Sequence, residues 1–171
     1  TIGIYLGYSS NNIINSSNFS SNTADVYSFS NSVNNTFLNT GYTSVAVGST
    51  SSLIRKWYYR ANVTSSNGNP ISGANVLAYN VSGNLVENLT TEADGLTPLG
   101  SLIEYVNNGG TKNYYSNYTI NASHPTYGGD THVYNISIEK NIFNDTFILS
   151  DPYKFYIKNY SCFITNFCVY C

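Results

Sequence analysis

From Trp57 to Leu149 short alternating segments give way to turn residues roughly every eight to twelve positions, and few folds accept that rhythm. At its centre stands Asn69-Pro70-Ile71-Ser72-Gly73-Ala74-Asn75-Val76-Leu77-Ala78-Tyr79, preceded by the alternating run Trp57-Tyr58-Tyr59-Arg60-Ala61-Asn62-Val63-Thr64. Between them Asn67-Gly68 supplies a positive φ and Pro70 interrupts any ladder. Ser82-Gly83 and Asp94-Gly95 turn the chain again. No stretch carries helical periodicity over a useful length. The spacing predicts seven strands, at 55–64, 73–80, 84–91, 97–106, 114–123, 131–139 and 142–149. Ala74, Val76 and Ala78 are expected on a buried face, with Asn75 and Tyr79 outward, and the lone Trp57 in the core.

Gly68-Asn69-Pro70-Ile71-Ser72-Gly73-Ala74-Asn75-Val76, followed by Thr91-Glu92-Ala93-Asp94-Gly95, resembles the carboxypeptidase-regulatory-like (prealbumin-like) β-sandwich over roughly residues 55–150. The resemblance implies an Ig-like or transthyretin-like sandwich. It implies no activity, because such modules serve as spacers, stalks and accessory parts.

Residues 1–50 follow a different grammar. Ile4-Tyr5-Leu6 aligns with Val26-Tyr27-Ser28 at a step of 22, and Asn11-Asn12-x-Ile14 with Asn34-Asn35-x-Phe37 at 23. Thr43-Ser44-Val45-Ala46-Val47 begins a third, partial unit. A period in the low twenties, built of short strands with Asn at the corners, is the signature of a parallel solenoid, in which aligned Asn side chains stack their amides. Gly3-Ile4-Tyr5-Leu6 and Ser9-Ser10-Asn11-Asn12-x-Ile14 resemble the right-handed parallel β-helix of the pectate-lyase-like, periplasmic-copper-binding-repeat type. The order of such rungs before such a sandwich resembles archaeal surface proteins. Only about two rungs are present, fewer than stand alone, so further rungs or a neighbour are expected to complete them.

The expected fold is therefore all-β: a short parallel β-solenoid segment at 1–50, a sandwich at 51–150 and a strand-like tail at 151–171. Gly48-Ser49-Thr50-Ser51-Ser52 reads as the joint between the first two units. In the tail, Asp151-Pro152 breaks the last strand before two aromatic segments, which either form a hairpin on this chain or pair with another. Cys162, Cys168 and Cys171 read as a tail disulfide with one Cys left over; metal-finger spacing and βαβ context are both missing.

Charge is sparse, with 7 Lys+Arg against 9 Asp+Glu, so no basic stripe exists to displace the counterions of a nucleic acid. With 17 Tyr and 8 Phe the chain has too much to bury to remain disordered. No run is long and apolar enough for a membrane span. Beginning at Thr1 without an initiator Met, the chain reads as a mature form or an excised piece. Polarity is supplied by 26 Asn, 23 Ser and 16 Thr. Eleven Asn carry the Asn-x-Ser/Thr acceptor pattern: Asn15, Asn18, Asn34, Asn62, Asn80, Asn88, Asn117, Asn121, Asn135, Asn144 and Asn159. Chance pairing would give about six, so the set favours an extracellular glycoprotein bearing covalent N-linked glycans.

Catalytic chemistry is sought with little result. A polysaccharide-cleaving solenoid needs clustered acids or a basic residue, and the first 50 residues hold only Asp25, read as a turn residue. His124, Asp130 and His132 share one loop region, and a polar loop explains them better than a metal site does. Glu92 and Asp94 lack the spacing of a calcium loop. No enzyme and no cofactor is expected. The leading expectation is a structural subunit of an extracellular filament or surface layer, joined head-to-tail to copies of itself by strand addition or solenoid stacking. The alternatives are a carbohydrate-binding or adhesive module ending a β-helix stalk, and an accessory part of a secreted polysaccharide-degrading enzyme.

Overall fold

The computed structural model describes residues 1–150, together with the backbone of two short strands at 163–165 and 168–170. Asn159 and the pairing of Cys162, Cys168 and Cys171 lie outside the described residues, as does most of the 151–171 tail. The described residues are all-β apart from one short helix.

Six strands come first: β1 (Ile2–Gly7), β2 (Ile13–Asn15), β3 (Ala24–Phe29), β4 (Asn35–Leu38), β5 (Val45–Val47) and the long β6 (Ser52–Ser65). They alternate between two sheets. In one, β1, β3 and β5 run parallel, with Ile4 opposite Val26, Tyr5 opposite Tyr27, and Val26 opposite Val45. In the other, β2, β4 and the start of β6 run parallel, with Ile14 opposite Phe37 and Asn35 opposite Leu53. The third layer follows at the shorter steps of 19 (Val26 to Val45) and 18 (Asn35 to Leu53), whereas the steps of 22 and 23 seen in the sequence are the registers of β1 on β3 and of β2 on β4.

The corners repeat at the same steps. Tyr8 and Ser30, Asn11 and Asn34, and Ser16 and Asn39 all have positive φ, the conformation that Asn tolerates best among ordinary residues. Asn12 donates Nδ2 to Asn35 Oδ1 at 2.9 Å, and buried Asn35 donates its own Nδ2 to Ser9 O at 2.7 Å. A hydroxyl series runs alongside, with Ser9 N donating to Ser32 Oγ and Ser32 N to Ser51 Oγ, each at 3.1 Å. These bonds satisfy turn amides that no sheet ladder reaches. Between the two sheets Leu6, Val26, Phe37, Val47 and Leu53 form a first core. Tyr42 and Tyr105 close it, their hydroxyls 2.8 Å apart.

The remaining elements are β7 (Asn75–Tyr79), β8 (Leu85–Thr90), β9 (Gly100–Asn108), β10 (Thr111–Tyr114), β11 (Tyr118–His124), β12 (Gly128–Tyr134), α1 (Ile136–Glu139), β13 (Ile142–Leu149), β14 (Phe163–Thr165) and β15 (Cys168–Tyr170). An antiparallel sheet in the order β12-β11-β7-β8 faces the sheet in which β10 and β9 join β6. On its other side β6 takes β13 as a parallel neighbour. A second core fills the space between them: Trp57, Tyr59, Ala61 and Val63 from β6 meet Val76, Ala78, Ile120 and Ala122 from the opposite sheet. Ala74, Val76 and Ala78 are buried and Asn75 is exposed, as the alternation predicts. β14 and β15 pair antiparallel as a hairpin.

Four details differ from the sequence reading. The expected strand at 131–139 stops at Tyr134, where Asn135 caps one helical turn by accepting Ser137 N at 3.1 Å. The expected strand at 114–123 is instead two, because β10 folds back on β9 at Gly109-Gly110, both at positive φ. The segment at 48–52 is a tight turn, Ser51 N to Gly48 O at 2.9 Å, that runs directly into β6 rather than a loose joint. Asp25 sits inside β3, buried, not in a turn.

Candidate functional site

The acceptor asparagines scatter over both parts of the molecule. Asn15, Asn18, Asn34, Asn88, Asn117 and Asn144 are exposed, while Asn62, Asn121 and Asn135 are partly so. Asn80 differs: it is buried, and its Oδ1 accepts Ser82 N and Asn84 N, both at 3.0 Å, forming an Asx turn within its own acceptor motif. Period-two alternation explains Asn88 and Asn121, which lie on the outward face of their strands, opposite Leu77 in the ladder between them, whereas Asn18, Asn34 and Asn117 lie outside the strands.

The densest polar cluster is one the sequence reading missed. Asp145 occupies an inward position of β13 with Phe147 and Leu149, and its side chain has no exposed surface. Three donors converge on it: Tyr59 Oη on Oδ2 at 2.7 Å, and Tyr134 Oη and His132 Nδ1 on Oδ1, each at 2.6 Å. His132 stacks on Phe147 with ring centroids 4.1 Å apart. Burial, then the neighbouring carboxylate, pushes the Tyr59 phenol far above its ordinary range; burial and the bond to Asp145 push Tyr134 in the same direction. The readable signal was an acid at an inward strand position between apolar neighbours.

Such an Asp–His pair orients an imidazole, because Nδ1–H is committed and Nε2 is left outward. Here Nε2 meets Asp130 Oδ2 at 3.6 Å, a carboxylate where a hydrolase would hold its nucleophile. Of the expected loop trio, Asp130 and His132 come together, whereas the His124 ring packs on Tyr127. Among the described residues no three His, Cys, Asp or Glu side chains stand close enough to hold a metal ion. Asp94 Oδ1 accepts Leu96 N at 2.9 Å, a bond that closes its turn. The Asp145 cluster is a polar tie between β6, β12 and β13.

A second tie joins the two cores. Glu104 Oε2 accepts Trp57 Nε1 at 2.6 Å and lies 3.3 Å from Arg55 Nε. The Arg55 guanidinium sits 4.2 Å above the Tyr42 ring and 4.9 Å above the Trp57 ring. Tyr42 and Tyr105 bound the first core and Trp57 the second, so this ion pair seals the plane between them.

The least satisfied surface is at the start of the chain. β1 pairs only with β3 and β2 only with β4, so each has a free edge among the described residues. Ile2, Tyr5, Tyr8 and Ile13 are exposed along this end. Tyr5 stacks on Tyr27 at 5.7 Å, and Tyr27 on Phe29 at 4.0 Å, so an aromatic row ends at an open ring. Comparison of the chain with protein-family models, with curated proteins and with solved structures finds no match.

Proposed function

We propose that this chain is a structural subunit of an extracellular, glycosylated filament or surface layer, and that it assembles by extending its parallel strands. The observation that carries the reading is that β1 and β2 each keep one parallel edge without a neighbour among the described residues. Parallel edges with free N–H and C=O groups, flanked by exposed apolar side chains, form a template for another layer of the same kind. The aligned corners and the Asn12–Asn35 amide bond supply a repeat that a further layer can continue at the same step. On this reading residues 1–50 are the last turns of a parallel β-solenoid and residues 51–150 an Ig-like sandwich behind it. The exposed acceptor asparagines then give a nearly uncharged surface its hydration.

The test is a charge placed on the open end. Ile13→Lys adds a cation at an exposed edge position without entering a core. Sedimentation and electron microscopy should show assemblies of the parent protein and dispersed Ile13→Lys subunits, both with the same melting temperature. Assembly that survives in Ile13→Lys, or a parent that stays dispersed at every concentration, removes this end as the connector.

A further inference from the structure

A groove of about 460 Å³ opens on the outward side of the antiparallel sheet, lined in part by Tyr79, Asn80, Val81, Asn117, Thr119 and Asn121. Its lining carries no Asp, Glu, Lys, Arg or His. A partly exposed phenol ring and an exposed Val81 provide apolar floor, and hydroxyl and amide groups surround them. Neutral sugars offer the matching chemistry, an apolar C–H face for the ring and hydroxyls for the amides. Three of the lining residues are themselves N-glycan acceptor positions.

We infer that this groove seats the chain's own N-glycan, carried on Asn117; the inference rests on the glycoprotein reading above. Of the three acceptors, Asn80 is buried with its Oδ1 held by its own turn, and Asn121 Oδ1 accepts Thr131 Oγ1 at 3.0 Å. Asn117 is the exposed one. Its motif is fixed from below, since Tyr118 is fully buried and donates its hydroxyl to Ile103 O at 3.0 Å. Asn117 and Thr119, two positions apart, both line the groove, and Thr119 lies directly opposite Tyr79 in the β11–β7 ladder. A first sugar on Asn117 therefore starts at the rim, with the Tyr79 ring within reach.

In the modification Asn117 Nδ2 bonds to the anomeric carbon of a lipid diphosphate-linked oligosaccharide. The carbon–oxygen bond to the diphosphate breaks, the lipid diphosphate leaves with that electron pair, and a base of the transferase takes one Nδ2 proton. The groove's shallowness favours a tethered occupant over a free one. An open site with one aromatic ring binds free sugar weakly, whereas attachment at the rim holds the same sugar at an effective concentration of some millimolar.

The experiment uses protein purified from a glycosylating host. Glycopeptide mass spectrometry reads occupancy at each acceptor, and tyrosine-selective chemical labelling reads access to Tyr79. Asn117 should be occupied, and Asn117→Gln should raise Tyr79 labelling about twofold or more, the protection expected when a tethered ligand is bound at least half the time. Asn88→Gln, which removes an exposed acceptor outside the groove lining, should leave Tyr79 labelling unchanged. Occupied Asn117 with Tyr79 labelled equally in parent and Asn117→Gln overturns the inference while leaving the glycoprotein reading intact. Glycans found elsewhere but not at Asn117 do the same. Bare asparagines at every position overturn both.

Discussion

Asp25 shows how one carboxylate can hold two layers of chain together. Its Oδ2 accepts Thr43 N at 2.8 Å, Ser44 N at 3.2 Å and Thr43 Oγ1 at 3.0 Å, and its Oδ1 accepts Asn22 Nδ2 at 3.3 Å. The Thr43 amide, then the Ser44 amide, hold its pKa at about 2, against an ordinary 3.8. A depressed carboxylate contributes stability above its unfolded pKa and loses it as pH falls through the folded value. The denaturation midpoint should therefore drop as pH falls from about 4 toward about 2. Asp25→Asn should be less stable at neutral pH and should show a shallower acid loss. Equal acid profiles for parent and variant in chemical denaturation would remove Asp25 from this role. In the sequence it was an isolated acid among Thr and Ala, with nothing to reveal that the amides of residues 43 and 44 would point at it. The Asn pairs were legible because identical residues recur at one step; a carboxylate that bonds to backbone leaves no such trace.

Among the elements, β7 was the most legible. Alternation alone placed Ala74, Val76 and Ala78 inward, and Ala74 is fully buried with its N–H donated to Thr91 Oγ1 at 2.9 Å. Ala74→Leu should overpack the space between the sheets and cost about 1–3 kcal/mol in thermal or urea unfolding. A midpoint equal to the parent's would show that the facing sheet gives way there. β13 was legible as a strand, but not for what it carries. Its burial alternates as expected, yet the inward Asp145 finds its donors on β6 and β12, 86 and 13 residues away in the chain. Such partners depend on the register between paired strands and on how the sheets face each other, which local pattern does not specify. Tyr59→Phe keeps the ring and removes one donor from this carboxylate, so it should cost about 1.5–3 kcal/mol. A loss well below that range, measured by denaturant unfolding, would mean that Tyr134 and His132 satisfy Asp145 alone. The single turn of α1 was missed because four residues are too few to display a helical period.

Across the whole molecule the phenols set a second pH limit. Burial raises Tyr42, Tyr59, Tyr105 and Tyr118 above the ordinary 10.0, with the Asp145 carboxylate adding to the shift at Tyr59. A raised acid leaves stability complete below its unfolded pKa and takes it away as pH climbs from there toward the folded value. The phenolate absorbance of these buried tyrosines should therefore appear together, when the fold opens above the ordinary phenol range. A single smooth titration of all 17 Tyr, with far-ultraviolet dichroism unchanged, would contradict that burial. The change in period near residue 50 was readable, but the continuity of the chain across it was not. Gly48 to Ser52 has the composition of a linker and instead leads into a strand that serves both cores. That strand has a mechanical consequence. Its 14 residues, at roughly 3.3 Å each, form a strut about 46 Å long, clamped by β4 and β13 along one side and by β9 along part of the other. Flexing it between the cores would break backbone hydrogen bonds and part the Arg55–Glu104 pair. β6 is therefore a stiff strut between the two cores, and on the proposed assembly any bending falls to the seams between copies.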